Sequence, residues 1–241
     1  MPVVDADLSW TLSASGASEG GAQTATVIPD NVDENLFADV SNVSRIAGWT
    51  EIRKLFLGNE AITDALPPHA LWEFASPTGC TLSLGLGVNS ADDADSAAGT
   101  LVDFSAPAKV ALVSNGSDTR TVRLRGKDTA GDPIDEDVVL TGTSEVLSVA
   151  TFSAAYLCAA DAVSASRTVT IKQGTGGTTR GTIPVGLLCC FRWLTGATSK
   201  SLGIHLIEMP TGGEIPIWIR IVGPADIGAG TRSPALRVQT L

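Results

Sequence analysis

Short runs of alternating apolar and polar residues, each cut off by a glycine-rich turn, constrain this chain more than any other feature. The pattern is cleanest between residues 110 and 186. Thr119-Arg120-Thr121-Val122-Arg123-Leu124-Arg125 alternates and stops at Gly126, and residues 137–141 follow a turn around Gly131-Asp132-Pro133. Residues 145–149 come next, and residues 168–172 run into Gly174-Thr175-Gly176-Gly177. A side-chain period of two describes an extended strand with one buried and one wet face. Many such strands, at spacings of roughly 8–12 residues, describe a sandwich or barrel. The chain therefore reads as all-β, of β-sandwich type, with little helix. Residues 152–160 are the best helix candidate, although their alanines also suit a packed strand.

With 241 residues the chain is long enough for one large β domain or two small ones. Apolar residues make up 44% and charged residues 17%, which excludes disorder of the whole. The net charge of −10 argues against nucleic acid as a partner, because phosphate contacts need clustered Lys and Arg. Arg53-Lys54 and the trio Arg120, Arg123, Arg125 are the only local basic concentrations, and they read as a solvated face. No apolar run approaches the ~20 residues that span a bilayer, so no membrane is expected. Residues 1–7 lack the basic and apolar regions of a signal peptide. Synthesis in a cytoplasm, without export by that route, is the expectation.

Chemistry-bearing residues are sparse. Cys80, Cys158, Cys189 and Cys190 show no CxxC spacing, and adjacent Cys189 and Cys190 point to opposite faces of a strand, so buried free thiols are expected. His69 sits in a Pro-Pro turn and His205 in an apolar strand, with no third ligand nearby. The stretch Gly174-Thr175-Gly176-Gly177-Thr178-Thr179 lacks the Gly-Lys-Ser/Thr ending of a phosphate loop and reads as a hairpin turn. Asp92, Asp93 and Asp95 are the one candidate for an ion site, without EF-hand spacing; a solvated acidic loop is the simpler reading. No catalytic residue, cofactor or metal is expected. Trp10, Trp49, Trp72 and Trp218 are spread singly along strand-like segments, as core packing or interface anchors would be.

Further strands are expected at residues 49–57, 71–75, 80–84, 215–222 and 236–239. The pair 71–75 and 80–84 reads as a hairpin about Ser76-Pro77-Thr78-Gly79. Pro216 lacks a ladder donor, which places 215–222 at a sheet edge or at a strand start. Residues 37–43 suit a brief strand or turn. Residues 12–26, rich in Ser, Gly, Ala and Thr, read as an arm that orders against a partner.

Two segments carry a family resemblance. Gly48-Trp49-Thr50-Glu51-Ile52-Arg53-Lys54-Leu55-Phe56-Leu57-Gly58-Asn59-Glu60 resembles a G-x-T-x-Y-R-K-x-F-x-K-N stretch of structural proteins in tailed-bacteriophage virions, with Ile52 replacing the aromatic and Gly58 a lysine. Gly213-Glu214-Ile215-Pro216-Ile217-Trp218-Ile219-Arg220 is similar to the I-P-I-W-I-R ending of the same proteins, and residues 110–186 to their Ig-like module. The resemblance implies an arm or loop at 1–35, a discontinuous β-sandwich of 36–107 plus 188–241, and an inserted Ig-like module at 108–187. It also implies a non-enzymatic virion component of the tail or baseplate that forms homo-oligomers and docks on other virion proteins. Capsid decoration is the alternative, as is a module that binds a host-surface glycan, for which Trp72 with Trp218 would be the aromatic platform.

Overall fold

The computed structural model describes residues 7–14, 22–28, 41–75, 79–88, 99–226 and 235–241. Eighteen strands and one α-helix are formed among them. In chain order these are β1 (Leu8–Ser13), β2 (Gln23–Val27), α1 (Asn42–Ala47), β3 (Trp49–Asn59), β4 (His69–Ala75), β5 (Thr81–Leu86), β6 (Gly99–Thr100) and β7 (Ala108–Ser114). Then come β8 (Thr121–Lys127), β9 (Pro133–Val139), β10 (Val146–Phe152), β11 (Ala154–Ala160), β12 (Val169–Gln173) and β13 (Thr179–Ile183). The last are β14 (Cys189–Phe191), β15 (Leu194–Thr195), β16 (Ile204–Leu206), β17 (Glu214–Gly223) and β18 (Ala235–Thr240). The fold is all-β, as the alternation requires.

Four sheets divide these strands. A six-stranded sheet runs β15-β5-β17-β3-β1-β2 and a three-stranded one β16-β4-β18. A four-stranded sheet, β10-β7-β12-β13, faces a five-stranded one, β6-β14-β11-β8-β9. The last pair encloses a core of Val110, Leu112, Val122, Leu124, Phe152, Val169, Ile171 and Ile183. The six- and three-stranded sheets enclose a second core, to which the five-stranded sheet adds Leu157, Ala159 and Phe191 from its other face. Strand β14 lies beyond residue 187 and β6 before residue 108, yet both belong to the five-stranded sheet; the sheets are shared across those positions.

β11 shows how this sharing works. All seven of its residues are buried, because the strand has a core on each side. Ala155 and Cys158 enter one core while Ala154, Leu157 and Ala159 enter the other. Its register against β8 slips between Ala155 and Leu157, so Tyr156 is the extra residue of a bulge. Such double burial hides the period-two signal, which is why this segment resembled a helix; it is a strand.

Other expectations are corrected. β4 and β5 do not form a hairpin; they lie in different sheets and meet across the core, so the chain crosses between layers there. β17 is central, flanked by β3 and β5. Its proline is tolerated because Pro216 precedes the first β5 rung, Ile217 with Leu86, and its carbonyl accepts the Gly87 N–H at 3.0 Å. The nitrogen that lacks a proton therefore faces the end of that ladder. The expected arm at 12–26 is, where described, a pair of strands added beside β3. Residues 42 and 43, placed in a strand or turn, open α1, whose cap is Ser41 accepting the Ser44 N–H at 3.1 Å; residues 37–40 lie outside the described residues.

Two substitutions test the packing. A Cβ on Gly126 would stand 2.1 Å from the Ala154 carbonyl oxygen and 2.7 Å from the Phe152 ring. Gly126→Ala should therefore cost about 2–3 kcal/mol, read as a lower urea midpoint. Asp118, 1% exposed, accepts bonds from Arg120 at 2.8 Å and from Ser114 at 3.1 Å, and the Arg120 hydrogen bond holds its carboxyl down at about 2. The folded state thus favours the carboxylate. Its contribution is complete above the ordinary aspartate value near ~3.9 and is lost as pH falls through about 2. Thermal unfolding across that window should lose on the order of 2 kcal/mol in wild type and far less in Asp118→Asn.

Candidate functional site: a charged seam between the two cores

The seam is built by two strands whose wet faces carry opposite charge. β8 reads Arg123-Leu124-Arg125 and β9 reads Asp135-Glu136-Asp137; the register sets Arg123 opposite Asp137 and Arg125 opposite Asp135. Leu124 and Val138 turn into the core. Arg123 forks onto Asp137, Nε to Oδ1 at 2.8 Å and Nη2 to Oδ2 at 3.0 Å, and Arg125 Nε donates to Asp135 at 3.2 Å. The guanidinium holds the Asp137 carboxyl below the usual range. Glu136 faces another way and its carboxylate takes the N–H groups of Val149 and Ala150 at 2.6 and 3.0 Å, where β10 bulges from β7.

Two clefts open along this seam, of about 170 Å³ and 390 Å³, and Arg125 and Glu214 line both. The smaller adds Asp135, His205, Glu208 and an apolar wall of Ile134, Met209 and Ile215. The larger adds Arg123, Asp161 and the floor residues Leu157 and Ala159. His205, 6% exposed, is held by the backbone: Nδ1 faces the Gly131 carbonyl and Nε2 the Lys200 carbonyl at 3.0 Å. Lys127 donates to the Ser201 carbonyl at 2.8 Å and Tyr156 to that of Gly203 at 3.0 Å; burial pushes the tyrosine hydroxyl up. These contacts join the turn after β8, and β11, to the segment before β16. Chemically the seam offers paired charges and fixed imidazole, an arrangement suited to holding surfaces together.

The histidines do not converge. Leu206 is opposite His69 on β4, so His205 projects to the other face. His69 is buried, with Nδ1 at 3.1 Å from the Pro67 carbonyl, and burial lowers its proton affinity. Among the described residues no three His, Cys, Asp or Glu side chains group as metal ligands. Asp92, Asp93 and Asp95 lie outside the described residues. All four cysteines are free and buried, as expected, and burial raises the thiols of Cys158 and Cys190, the latter to about 12. The glycine stretch at 174–177 is the β12–β13 turn, with Gly174 and Gly176 at φ of 77° and 59°.

The tryptophans separate. Trp10 and Trp49 are half-buried against the core, and Trp49 lies over Gly223. Trp72 is 8% and Trp218 0% exposed, so neither offers a platform to a sugar ring. Trp218 stacks on Phe191 at 6.2 Å, and the Phe191 ring occupies the space above Gly85. Lys54, read from sequence as solvated, is 1% exposed; its ammonium donates to the Val88 carbonyl at 2.7 Å and lies 5.4 and 5.5 Å from the Phe56 and Trp218 rings. The seam itself was missed as a site. Its signal was the matched i, i+2 charges of Arg123/Arg125 and Asp135/Asp137 on either side of one turn.

Compared with models of known protein families, with curated proteins and with solved structures, the chain matches none.

Trp218→Ala should cost about 4 kcal/mol in chemical denaturation, the price of a large core side chain. Trp72→Ala should likewise lower stability, and glycan-array signals should not distinguish it from wild type at temperatures where both are folded.

Proposed function

We propose that this chain is a non-enzymatic structural component of a tailed-phage virion, assembling through protein–protein interfaces in the tail or baseplate. The observation that carries the reading joins the two segments of the resemblance. They stand more than 150 residues apart in sequence, yet they form β3 and β17, and these pair rung by rung from Trp49 with Gly223 to Gly58 with Glu214. They behave as one structural unit at the centre of a sheet. On this reading residues 108–187 are an Ig-like module set into that unit.

The surface supports docking. Val139, Leu147 and Val149, on the successive strands β9 and β10, are 57%, 41% and 84% exposed. Val43 and Ile46, three residues apart on α1, are 77% and 65% exposed. Burying such side chains against a neighbouring subunit stabilises an assembly by roughly 25 cal/mol per Å² before the cost of association. The net charge of −10 keeps free copies apart from one another and from DNA until they dock.

Antibodies against the purified chain, applied to intact particles of the phage that encodes it and viewed by electron microscopy, test this reading. Labelling at a fixed position on the tail is the expected result, and labelling over the capsid would reassign the chain to decoration. Absence from the protein content of purified particles would overturn the virion reading altogether.

A further inference from the structure

The loop that follows β7 holds an asparagine, a glycine and a proton relay in one short stretch. Asn115-Gly116 is the only Asn-Gly pair in the chain. Asn115 is exposed, and its side-chain carbonyl oxygen accepts the Thr168 N–H at 3.0 Å. The Gly116 N–H points at Ser114 Oγ, 3.4 Å away, and that hydroxyl donates to Asp118 Oδ2 at 3.1 Å. Ser114 and Asp118 are 2% and 1% exposed, so water does not compete for the relay. Glycine at 116 leaves the backbone nitrogen unshielded; the nearest atom to a Cβ there would be Arg167 Nε, 3.3 Å off.

We propose that Asn115-Gly116 is a self-modification site, at which the folded chain converts Asn115 to aspartate or isoaspartate through a cyclic imide. The Gly116 nitrogen gives its proton to Ser114 Oγ, which passes its own to Asp118. The nitrogen lone pair then attacks Asn115 Cγ while the Thr168 N–H stabilises the charge gathering on Oδ1. The bond from Cγ to the side-chain nitrogen breaks, a water at exposed Asn115 protonates that nitrogen and ammonia leaves, while Asp118 returns its proton to solvent through Ser114. Water opens the five-membered imide at either carbonyl. No electron is gained or lost by any other group. The Arg120 guanidinium keeps Asp118 ionised and holds it against the Ser114 hydroxyl. The product adds one negative charge next to Gly116, which the Arg167 side chain flanks. This proposal is independent of the virion reading, since its chemistry needs only the loop.

Peptide mapping by mass spectrometry of the full chain, aged folded in neutral buffer and in parallel in urea, tests it. The expected result is a gain of about 1 Da confined to the Asn115 peptide, with an isoaspartyl product, forming at least as fast folded as unfolded. Ser114→Ala should slow the folded chain about tenfold and leave the rate in urea unchanged, and Ser114→Thr, which keeps the hydroxyl, should recover it. Gly116→Ala should slow both conditions. Conversion faster in urea than in the fold, or a folded rate indifferent to Ser114→Ala, would overturn the assignment. Should Ser114→Ala fail to fold, the wild-type comparison decides alone.

Discussion

Everything in this fold leans on β11. A strand buried on both faces has little room for polar side chains, and the sequence Ala-Ala-Tyr-Leu-Cys-Ala-Ala is mostly small and, but for one hydroxyl, apolar. Small residues let two cores approach one sheet closely, and the bulge at Tyr156 resets the alternation so that Ala154 and Leu157 reach the same core. Tyr156 contributes the one polar group, and its hydroxyl leaves the apolar layer to bind the Gly203 carbonyl. The two cores are thus coupled by burial. A defect in β11 or β14 disturbs both, and the halves of the chain are not free to move as beads on a linker.

The seam follows from that coupling. Where β8 and β9 emerge beside β17, charged side chains that would be costly beside apolar walls are neutralised in pairs across the ladder. Arg123 with Asp137 is half exposed and contributes little to stability; its value is geometric, because a bidentate fork fixes the strand register that Leu124 and Val138 need. The backbone carbonyls around His205 serve a similar end, tying the β8–β9 turn to β16 without any side-chain charge of their own.

The legibility of this architecture in sequence divides along one physical line. Strands with one wet face, such as β8 and β12, announce themselves through alternation, because water selects every second residue. Strands with two dry faces do not: β11 resembles a helix, and the sequence places β17 at an edge or with Pro216 at its start, because Pro216 is weighed without knowing where its neighbour's ladder stops. The hairpin expected at residues 71–84 failed for a related reason. Its two arms are apolar enough to pair, but sequence does not say whether two strands meet side by side or face to face. Lys54 was misread because no local pattern foretells a carbonyl and an indole ring converging on an ammonium from 34 and 164 residues away.

The same line bears on function. Tryptophans are informative about binding only when exposed, and burial of Trp72 and Trp218 removes the aromatic platform that a glycan reading required. Among the described residues the large apolar side chains left exposed are aliphatic, and Val139, Leu147 and Val149 on β9 and β10, with Val43 and Ile46 on α1, sit on rigid supports. Rigid aliphatic surfaces bind by shape and by water exclusion, with little demand for precise polar groups. On the proposed assembly role, a subunit that meets the same neighbour many times over would dock through Val139, Leu147 and Val149 at β9 and β10, where Glu136 takes the Val149 and Ala150 N–H groups at the edge of β10.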